Sequence, residues 1–365
     1  MVAPARAWRF ESSPEHKIIP ERGLFDVCYN RPVMKLFIAP IIISLVALGA
    51  VYLWGGLPAF ILAALLSVLE ITLSFDNAVV NAKVLAQMSE RWQRRFLTWG
   101  ILVAVFGTRL VLPAIIVGLA AWISPLAAAA LAFEDPAAYA HLLEAASPAI
   151  NAFGGVFLLM VSLKYFFDVG KKVHWIAWIE RYLARWGRVE AIELAIALAT
   201  LLGLSYLADN QAQVLAAGTI GLLTFVVMQG ITSTLDFKAG QVVAGGGVLF
   251  IYLNILDSAF SLDGVVGAFA LTTQIPIIFV GLGIGAYFVR SITVYLVRRK
   301  TLEALRYLEH GAHWAILGLG LSMLVGIIVH VPEVITGLIG LVFVTLAYVS
   351  SRRAIPSQKT LESLG

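Results

Sequence analysis

Long apolar blocks separated by short polar segments make up most of the chain. Most blocks reach or approach the ~20 residues that an α-helix needs to cross a hydrocarbon layer about 30 Å thick. Backbone groups in lipid must be hydrogen-bonded internally, which favours helices. The pattern therefore predicts an all-α polytopic transmembrane bundle of about ten spans. They are predicted at residues 36–54, 57–75, 96–121, 150–167, 191–207, 212–230, 242–270, 276–297, 313–329 and 334–349.

The basic residues predict an orientation. With ten spans and a cytoplasmic N-terminus, every loop on the inner side carries Lys or Arg, and the loops on the outer side carry neither. The longest outer loop, 122–148, carries Glu134, Asp135 and Glu144 instead. Membrane proteins concentrate Lys and Arg in cytoplasmic loops. We therefore expect both termini in the cytoplasm and the chain in an inner or plasma membrane.

Composition agrees with the hydrophobic pattern. Hydrophobic residues make up 60% of the chain and charged residues 13%, against roughly 25% charged residues in soluble domains. The predicted cytoplasmic loops and tails account for the net charge of +4, and we find no nucleic-acid-binding motif. One cysteine, Cys28, excludes an internal disulfide. The lipid bilayer is the expected partner, and the sequence leaves oligomeric partners open.

The same pattern divides the chain. Residues 1–34 are predicted to form a polar cytoplasmic tail, residues 35–350 the transmembrane domain, and residues 351–365 a second cytoplasmic tail. Within the domain, residues 171–188 repeat aromatic and aliphatic side chains at helical spacing, with basic residues mostly elsewhere around the helix. Such a Trp-rich, basic amphipathic helix should lie in the inner membrane interface.

Acidic residues inside the apolar blocks carry the functional signal, because a carboxylate within a membrane span is rare and functional by default. The second span continues into LEITLSFDN, and the seventh contains LDSAFSLDG. The two segments share a frame: an acid, then an aspartate six residues later, with a serine two residues before that aspartate. In this frame Glu70 corresponds to Asp257, Ser74 to Ser261, and Asp76 to Asp263.

The spacing of the acids predicts broken helices. Six residues of a straight α-helix rotate a side chain by about 240°, so the two acids of one segment would miss a common face. Ser, Asp, Asn and Gly at 74–77 and 261–264 favour local backbone bonding and turns. We therefore expect two discontinuous helices whose free carbonyl groups lie beside the carboxylates, as in transporter ion sites.

The shared frame also predicts an inverted repeat. The motifs lie in spans two and seven, so they cross the membrane in opposite directions. The halves would comprise roughly residues 35–207 and 212–350. An arginine follows in the next span of each half, Arg109 and Arg290. For Arg109 we keep open a pair with a site acid and a structural salt bridge, and Arg290 could snorkel to the cytoplasmic interface.

The predicted ligands are hard oxygen donors. Carboxylates, an amide, hydroxyls and carbonyl groups suit Mn²⁺, Mg²⁺ or Ca²⁺, while the spans lack the Cys and mid-membrane His of a zinc-type site. A purely structural polar network is the alternative. The expected metal site comprises six residues: Glu70, Asp76, Asn77, Asp257, Ser261 and Asp263. Ser74, Arg109 and Arg290 would line the transport pathway.

The two motifs resemble the paired signatures of the TerC-like membrane proteins, a family named for tellurium resistance and related to the lysine-exporter superfamily. Several members of that family export Mn²⁺. The resemblance implies that Glu70, Asp76 and Asn77 serve the first half of a site, and Asp257, Ser261 and Asp263 the second. Family motifs often have Ser or Asn after the last aspartate, where this chain has Gly264.

These observations predict a divalent-metal transporter, with export of Mn²⁺ expected, without a permanently bound cofactor and without enzymatic activity. Export of a small organic solute such as an amino acid is the first alternative. An intramembrane aspartyl protease using Asp76 and Asp263 is the second, since two aspartates can share one proton. Against it, Asp263 lies in Ser-Leu-Asp-Gly rather than in a Gly-x-Gly-Asp frame.

Overall fold

The computed structural model describes residues 34–236, 245–299 and 305–354. These residues form helices joined by short connections, without a strand among them. The helices are α1 (Met34–Leu73), α2 (Phe75–Ala86), α3 (Glu90–Leu102), a π-helical segment (Val103–Val111), α4 (Leu112–Ala121), α5 (Pro125–Glu134), α6 (Pro136–Phe166), α7 (Ala177–Trp186), α8 (Ile192–Leu207), α9 (Gln211–Asp236), α10 (Gly245–Leu271), α11 (Ile275–Arg298), α12 (Leu308–Val325) and α13 (Glu333–Ala354).

Within the described residues, seven stretches of helix are long and apolar enough to cross a membrane. Many of their large apolar side chains face outward, including Leu53, Leu119 and Leu223, as side chains in contact with lipid do. The chain is therefore a multi-pass membrane protein. The seven stretches are Leu36–Leu73, Glu90–Leu119, Pro136–Phe166, Gln211–Ile231, Gly246–Phe269, Ile275–Arg298 and Ile335–Ala354.

Helix α1 reverses direction at Gly56, which has φ 69° and ψ −164°. Only glycine adopts this backbone conformation readily. Phe37 near the start of α1 stacks on Phe288, and Glu70 near its end lies against Gly285. In a straight helix Phe37 and Glu70 would be about 50 Å apart, yet both lie at one level of α11. The two arms of α1 therefore form a hairpin and correspond to the predicted spans 36–54 and 57–75.

The predicted outer loop at 122–148 is largely helical, so that part of the prediction is wrong. Helix α5 begins after Ser124, whose hydroxyl accepts a hydrogen bond from the Ala127 N–H at 3.1 Å. Helix α6 begins after Asp135, whose carboxylate accepts from the Ala138 N–H at 3.0 Å. A proline follows each cap, where its missing N–H is harmless. Two well-formed N-termini thus replace the loop.

The remaining predicted spans correspond to helices with shifted ends. Spans 191–207 and 313–329 match the shorter helices α8 and α12. Helix α13 continues to Ala354, past the expected start of the tail at 351, and residues 1–33 and 355–365 lie outside the described residues. The ten-span count and the cytoplasmic placement of the termini stay predictions.

The core positions the two acidic motifs against each other. Helix α6 is packed by α9, α10 and α12, and the α1 hairpin packs along α11. Gly154 and Gly155 of α6 contact Met323 and Leu324 of α12, an approach that a β-carbon would block. The first motif lies at the junction of α1 and α2, and the second lies on α10 beside it.

Only the first motif interrupts its helix. Ser74 separates α1 from α2 with ψ 14°, and its hydroxyl donates to Glu70 Oε1 at 3.1 Å. Helix α10 is continuous from Gly245 to Leu271, so the predicted break at 261–264 is wrong. Two preceding polar side chains donate to the backbone of α10 itself, Ser258 to the Asn254 carbonyl at 2.7 Å and Asn254 to the Phe250 carbonyl at 2.6 Å. Such bonding back to the previous turn removes the need for a break.

The predicted amphipathic helix at 171–188 is shorter than expected. Only Ala177–Trp186 is helical. Residues 171–176 are irregular, and two of them, Lys171 and His174, approach the buried carboxylate of Glu180. The segment is thus a short helix preceded by an irregular stretch that packs against the buried Glu180.

Candidate functional site

Glu70 is the buried acid of the first motif, with 3% of its surface exposed. Its Oε1 atom forms an ion pair with Arg109 Nη2 and accepts the hydroxyl of Ser74. Helix α11 passes so close to the Glu70 stem that a β-carbon on Gly285 would overlap it. The carboxylate is therefore fixed in place and neutralised by an arginine of the π-helical segment Val103–Val111.

A π-helical segment carries Arg109 to this carboxylate. In this segment backbone bonds reach five residues back, as from the Leu112 N–H to the Gly107 carbonyl. Arg109 Nη1 and the Thr108 hydroxyl both donate to the Ala104 carbonyl at 2.6 Å. Single π-type turns are frequent at functional sites. The pairing of Arg109 with Glu70, left open by the sequence, is present.

The second motif repeats this arrangement. Asp257 Oδ2 lies 3.1 Å from Arg290 Nη2, and both residues are buried. Arg290 Nη1 donates to the Phe96 carbonyl at 3.3 Å, and the guanidinium lies in the space beside Gly100. The interpretation that Arg290 snorkels is wrong, because a buried carboxylate holds it inside the protein.

The two motifs contact each other directly. Asn77 Nδ2 donates to Asp257 Oδ1 at 2.8 Å, and a β-carbon on Gly264 would lie 3.1 Å from Glu70 Oε2. As the chain runs from Glu70 to Asn77, the facing helix runs from Gly264 to Asp257, so the segments are antiparallel.

An internal twofold axis would exchange these contacts. In the shared frame Glu70 corresponds to Asp257, and Asn77 corresponds to Gly264. The Asn77–Asp257 contact is thus the counterpart of the Gly264–Glu70 contact. The Glu70–Arg109 and Asp257–Arg290 pairs are likewise counterparts. The contacts have the local geometry that the predicted inverted repeat requires, while the repeat over whole halves stays a prediction.

Asp76 is buried without a cationic partner among the described side chains. Its Oδ1 atom accepts the Asn77 N–H at 2.9 Å, and Gly340 of α13 lies close enough that a β-carbon there would be 3.6 Å from Oδ2. Ser261 is buried on α10. The side chain of Asp263 lies outside the described part of the molecule.

Each predicted site residue with a described side chain is buried at this junction, but the acids with described side chains do not form a metal cage. Among the described side chains, no three of His, Cys, Asp or Glu are arranged to hold a metal ion. Buried polar atoms of three predicted site residues have no hydrogen-bond partner: Asn77 Oδ1, Arg109 Nε and Arg290 Nε. Buried polar atoms are rarely left unpaired, so the site has spare bonding capacity.

One buried acid away from this junction, Glu180 of α7, was missed by the sequence analysis. It is fully buried and accepts hydrogen bonds from His310 Nδ1 at 2.9 Å and Trp314 Nε1 at 3.2 Å, both on α12. The backbone N–H groups of Trp175 and Ile176 also donate to it. Lys171 Nζ lies 3.1 Å from Oε2.

These donors set the protonation of Glu180. Burial alone would raise its pKa, but the hydrogen bond from His310 and the charge of Lys171 outweigh burial and lower the pKa to about 2. Burial lowers the pKa of Lys171, opposed by the Glu180 charge. Glu180 is therefore held as a carboxylate inside a cage of donors.

Comparison with known proteins gives one result. A family model described as "Protein of unknown function (DUF475)" matches residues 75–356, more than half of the chain. The matched region includes Asp76, the second motif and both arginines, while Glu70 and Ser74 precede it. No curated protein and no solved structure matches the chain, and the family description does not name the TerC-like proteins. The chain belongs to the DUF475 family of membrane proteins, whose function is unknown.

Proposed function

We propose that this protein is an integral membrane transporter of divalent metal ions, with Mn²⁺ export as the expected activity. The observation that carries the proposal is the pair of contacts between the motifs, Asn77 with Asp257 and Gly264 with Glu70. They bring the buried acids of both halves to one junction in the arrangement that alternating access uses. The resemblance to the TerC-like motifs supports the same substrate class.

The charges at the junction match a divalent cation. Two motifs supply four carboxyl groups, and the spans supply two arginines that pair with two of them. With all groups ionised the excess is two negative charges, which one divalent ion would neutralise. Carboxylate, amide and hydroxyl oxygens are the donors that Mn²⁺, Mg²⁺ and Ca²⁺ prefer.

In this proposal the arginines are internal counter-ions of the unloaded site. A bare buried carboxylate is strongly unfavourable, and Arg109 and Arg290 remove that penalty while no ion is bound. An entering cation would take over Glu70 and Asp257. The π-helical segment gives Arg109 a way to withdraw, because a return to α-helical bonding shifts its register by one residue and rotates it by about 100°.

Elemental analysis of cells under Mn²⁺ load tests the proposal. We would compare the wild type with an Asp76→Asn/Asp263→Asn variant at matched membrane levels. A Glu134→Gln/Glu144→Gln variant removes two exposed acids from the predicted outer side and serves as the control. We expect cells that carry the wild type or the control to contain less Mn than cells that carry the Asp76→Asn/Asp263→Asn variant. If the cell content of Ca or Mg changes instead of Mn, the proposed substrate changes to that ion. Normal export by the Asp76→Asn/Asp263→Asn variant would refute the assignment of the transport site to these acids.

A small organic solute is the second candidate, and the buried arginines favour it. Cations and carboxylates side by side suit a zwitterion such as an amino acid, whose carboxylate could meet Arg109 or Arg290. Competition separates the candidates: Mn²⁺ and amino acids would be tested as inhibitors of one flux. Inhibition by amino acids at constant Mn²⁺, with no effect of metal, would favour the organic solute.

A further inference from the structure

Helix α7 presents an outward face made of aromatic and basic side chains. Trp178 is 78% exposed, and Tyr182 and Trp186 are also exposed. Beside them lie exposed basic residues, listed in chain order: Lys172, Arg181, Arg185 and Arg188. Large aromatic side chains are seldom left in water, and this combination is typical of helices that lie in a membrane interface.

The single acid of α7, Glu180, faces the interior of the protein rather than the outward face. Glu180 is the one carboxylate within Ala177–Trp186, and it is fully buried against His310 and Trp314 of α12. This arrangement separates the charges: the negative group faces the protein and the positive groups face out. The donors around Glu180 also fix the rotation of α7, so the basic face cannot turn inward.

We propose that the outward face of α7 is a docking surface for the headgroups of anionic phospholipids. Charge complementarity selects this occupant over zwitterionic lipid, because the exposed face carries only basic residues beside its aromatic ones. A basic residue near an anionic membrane surface adds a favourable interaction of roughly fivefold in binding. The aromatic side chains would lie at headgroup level, where Trp and Tyr are enriched.

The position of α7 in the chain also favours lipid as the occupant. The helix follows α6, which is long and apolar enough to span the membrane, and precedes the short apolar helix α8. A segment held between two membrane helices stays near the surface of the bilayer. The orientation predicted from Lys and Arg places it on the cytoplasmic side, where the anionic lipids are concentrated.

Tryptophan quenching in reconstituted vesicles tests this surface independently of any transport. The full chain would be placed in phosphatidylcholine vesicles with 30 mol % phosphatidylglycerol, in which either lipid carries bromine on its acyl chains. The contribution of Trp178 and Trp186 is the difference from a Trp178→Phe/Trp186→Phe variant. We express enrichment as the association constant of phosphatidylglycerol relative to phosphatidylcholine, and we expect it to be roughly tenfold, so that phosphatidylglycerol makes up about 80% of the lipid beside these two side chains.

Two charge variants complete the experiment. Arg181→Gln/Arg185→Gln/Arg188→Gln removes the proposed surface, and Arg299→Gln/Arg352→Gln/Arg353→Gln removes the same charge from exposed positions elsewhere. The first variant should lower the enrichment to about twofold or less, and the second should keep it near the wild-type value. Equal enrichment in the first variant and the wild type would overturn the proposal. An equal loss in both variants would also overturn it, since net charge rather than α7 would then attract the lipid.

Discussion

Two regions of this protein bury carboxylates beside cations, and they do so in opposite ways. Around Glu180 both carboxylate oxygens are occupied by backbone, His, Trp and Lys donors. At the junction of the motifs, Glu70 and Asp257 each rely on one arginine and one weaker donor. Polar atoms of Asn77 and of both arginines have no hydrogen-bond partner there. Near Glu180 the same is true of Lys171 Nζ and His174 Nδ1, but both oxygens of the Glu180 carboxylate accept hydrogen bonds.

The difference separates a structural charge from an exchangeable one. A fully bonded buried carboxylate rigidifies its surroundings, whereas a partly bonded network is held less firmly. Glu180 therefore holds α7 against α12 as long as the protein is folded. In the proposed transport cycle, Glu70, Asp76 and Asp257 would exchange their present partners for the passing cation.

The largest expected effect is the loss of Glu180. In Glu180→Ala the donors of His310, Trp314 and Lys171 stay buried without their acceptor. Breaking a buried pair destabilises by about 3–5 kcal/mol, and we expect the upper end of this range because several donors are affected. Thermal unfolding in detergent would measure it. Asp76→Asn is the matched comparison, and it should unfold within a few degrees of the wild type.

Glu180→Ala and Asp76→Asn together can contradict the roles that we assign to the two regions. If Glu180→Ala unfolds at the wild-type temperature while Asp76→Asn is severely destabilised, the two regions have the roles opposite to those we assign.

The next effect concerns the arginine of the second half. Arg290→Gln leaves Asp257 buried with only Asn77 as a donor, and we expect a loss of about 3 kcal/mol. The Asp257→Asn/Arg290→Gln variant removes both charges and should recover at least half of this loss. A double-mutant cycle on the free energy of unfolding measures the coupling. Additive losses would show that the pair does not stabilise the fold.

Close packing against Glu70 should give a smaller effect. In Gly285→Ala the new β-carbon would overlap the Glu70 stem, and overpacking typically costs about 1–3 kcal/mol. Gly203→Ala is the control, because nothing lies within 4 Å of the added carbon in the structure and alanine is the better helix former. Gly203→Ala should be neutral or slightly stabilising. Equal behaviour of the two variants would contradict the placement of α11 against Glu70.

The smallest effect near neutral pH is titration of Glu180. Its pKa is lowered from 4.5 to about 2 in the folded protein, so it stabilises the fold fully above pH 4.5, and this contribution is lost as the pH falls towards 2. Glu180→Gln has no such group. The gap in unfolding temperature between wild type and Glu180→Gln should be constant from pH 7 to 5 and shrink below pH 4.5. A gap that is constant down to pH 3 would contradict the lowered pKa.

The acids of the candidate site could be found from the sequence because a carboxylate in an apolar block is conspicuous. The shared frame of the two motifs also predicted that they meet, and Asn77 does contact Asp257. The hairpin in α1 corresponds to the two adjacent apolar blocks predicted as separate spans, 36–54 and 57–75. These features depend on residues close together in the chain.

Features that depend on distant partners were missed. Ser-x-Asp occurs in both motifs, at Ser74 and at Ser261, yet only Ser74 interrupts a helix, and its hydroxyl bonds to the Glu70 side chain. Glu180 stands among basic residues in the sequence, and its donor His310 lies 130 residues further on. Local composition predicts neither the helix break at Ser74 nor the partner of Glu180, because tertiary packing decides which hydrogen bond forms.

The most direct test of the central claim is Mn²⁺ flux in vesicles containing only the purified protein. A Mn²⁺-sensitive dye inside the vesicles would report entry after Mn²⁺ is added outside, for wild type, Asp76→Asn/Asp263→Asn and the Glu134→Gln/Glu144→Gln control. We predict dye quenching for the wild type and the control, and only the rate of empty vesicles for Asp76→Asn/Asp263→Asn. Equal rates in all three proteins, above that of empty vesicles, would contradict transport through the paired acids.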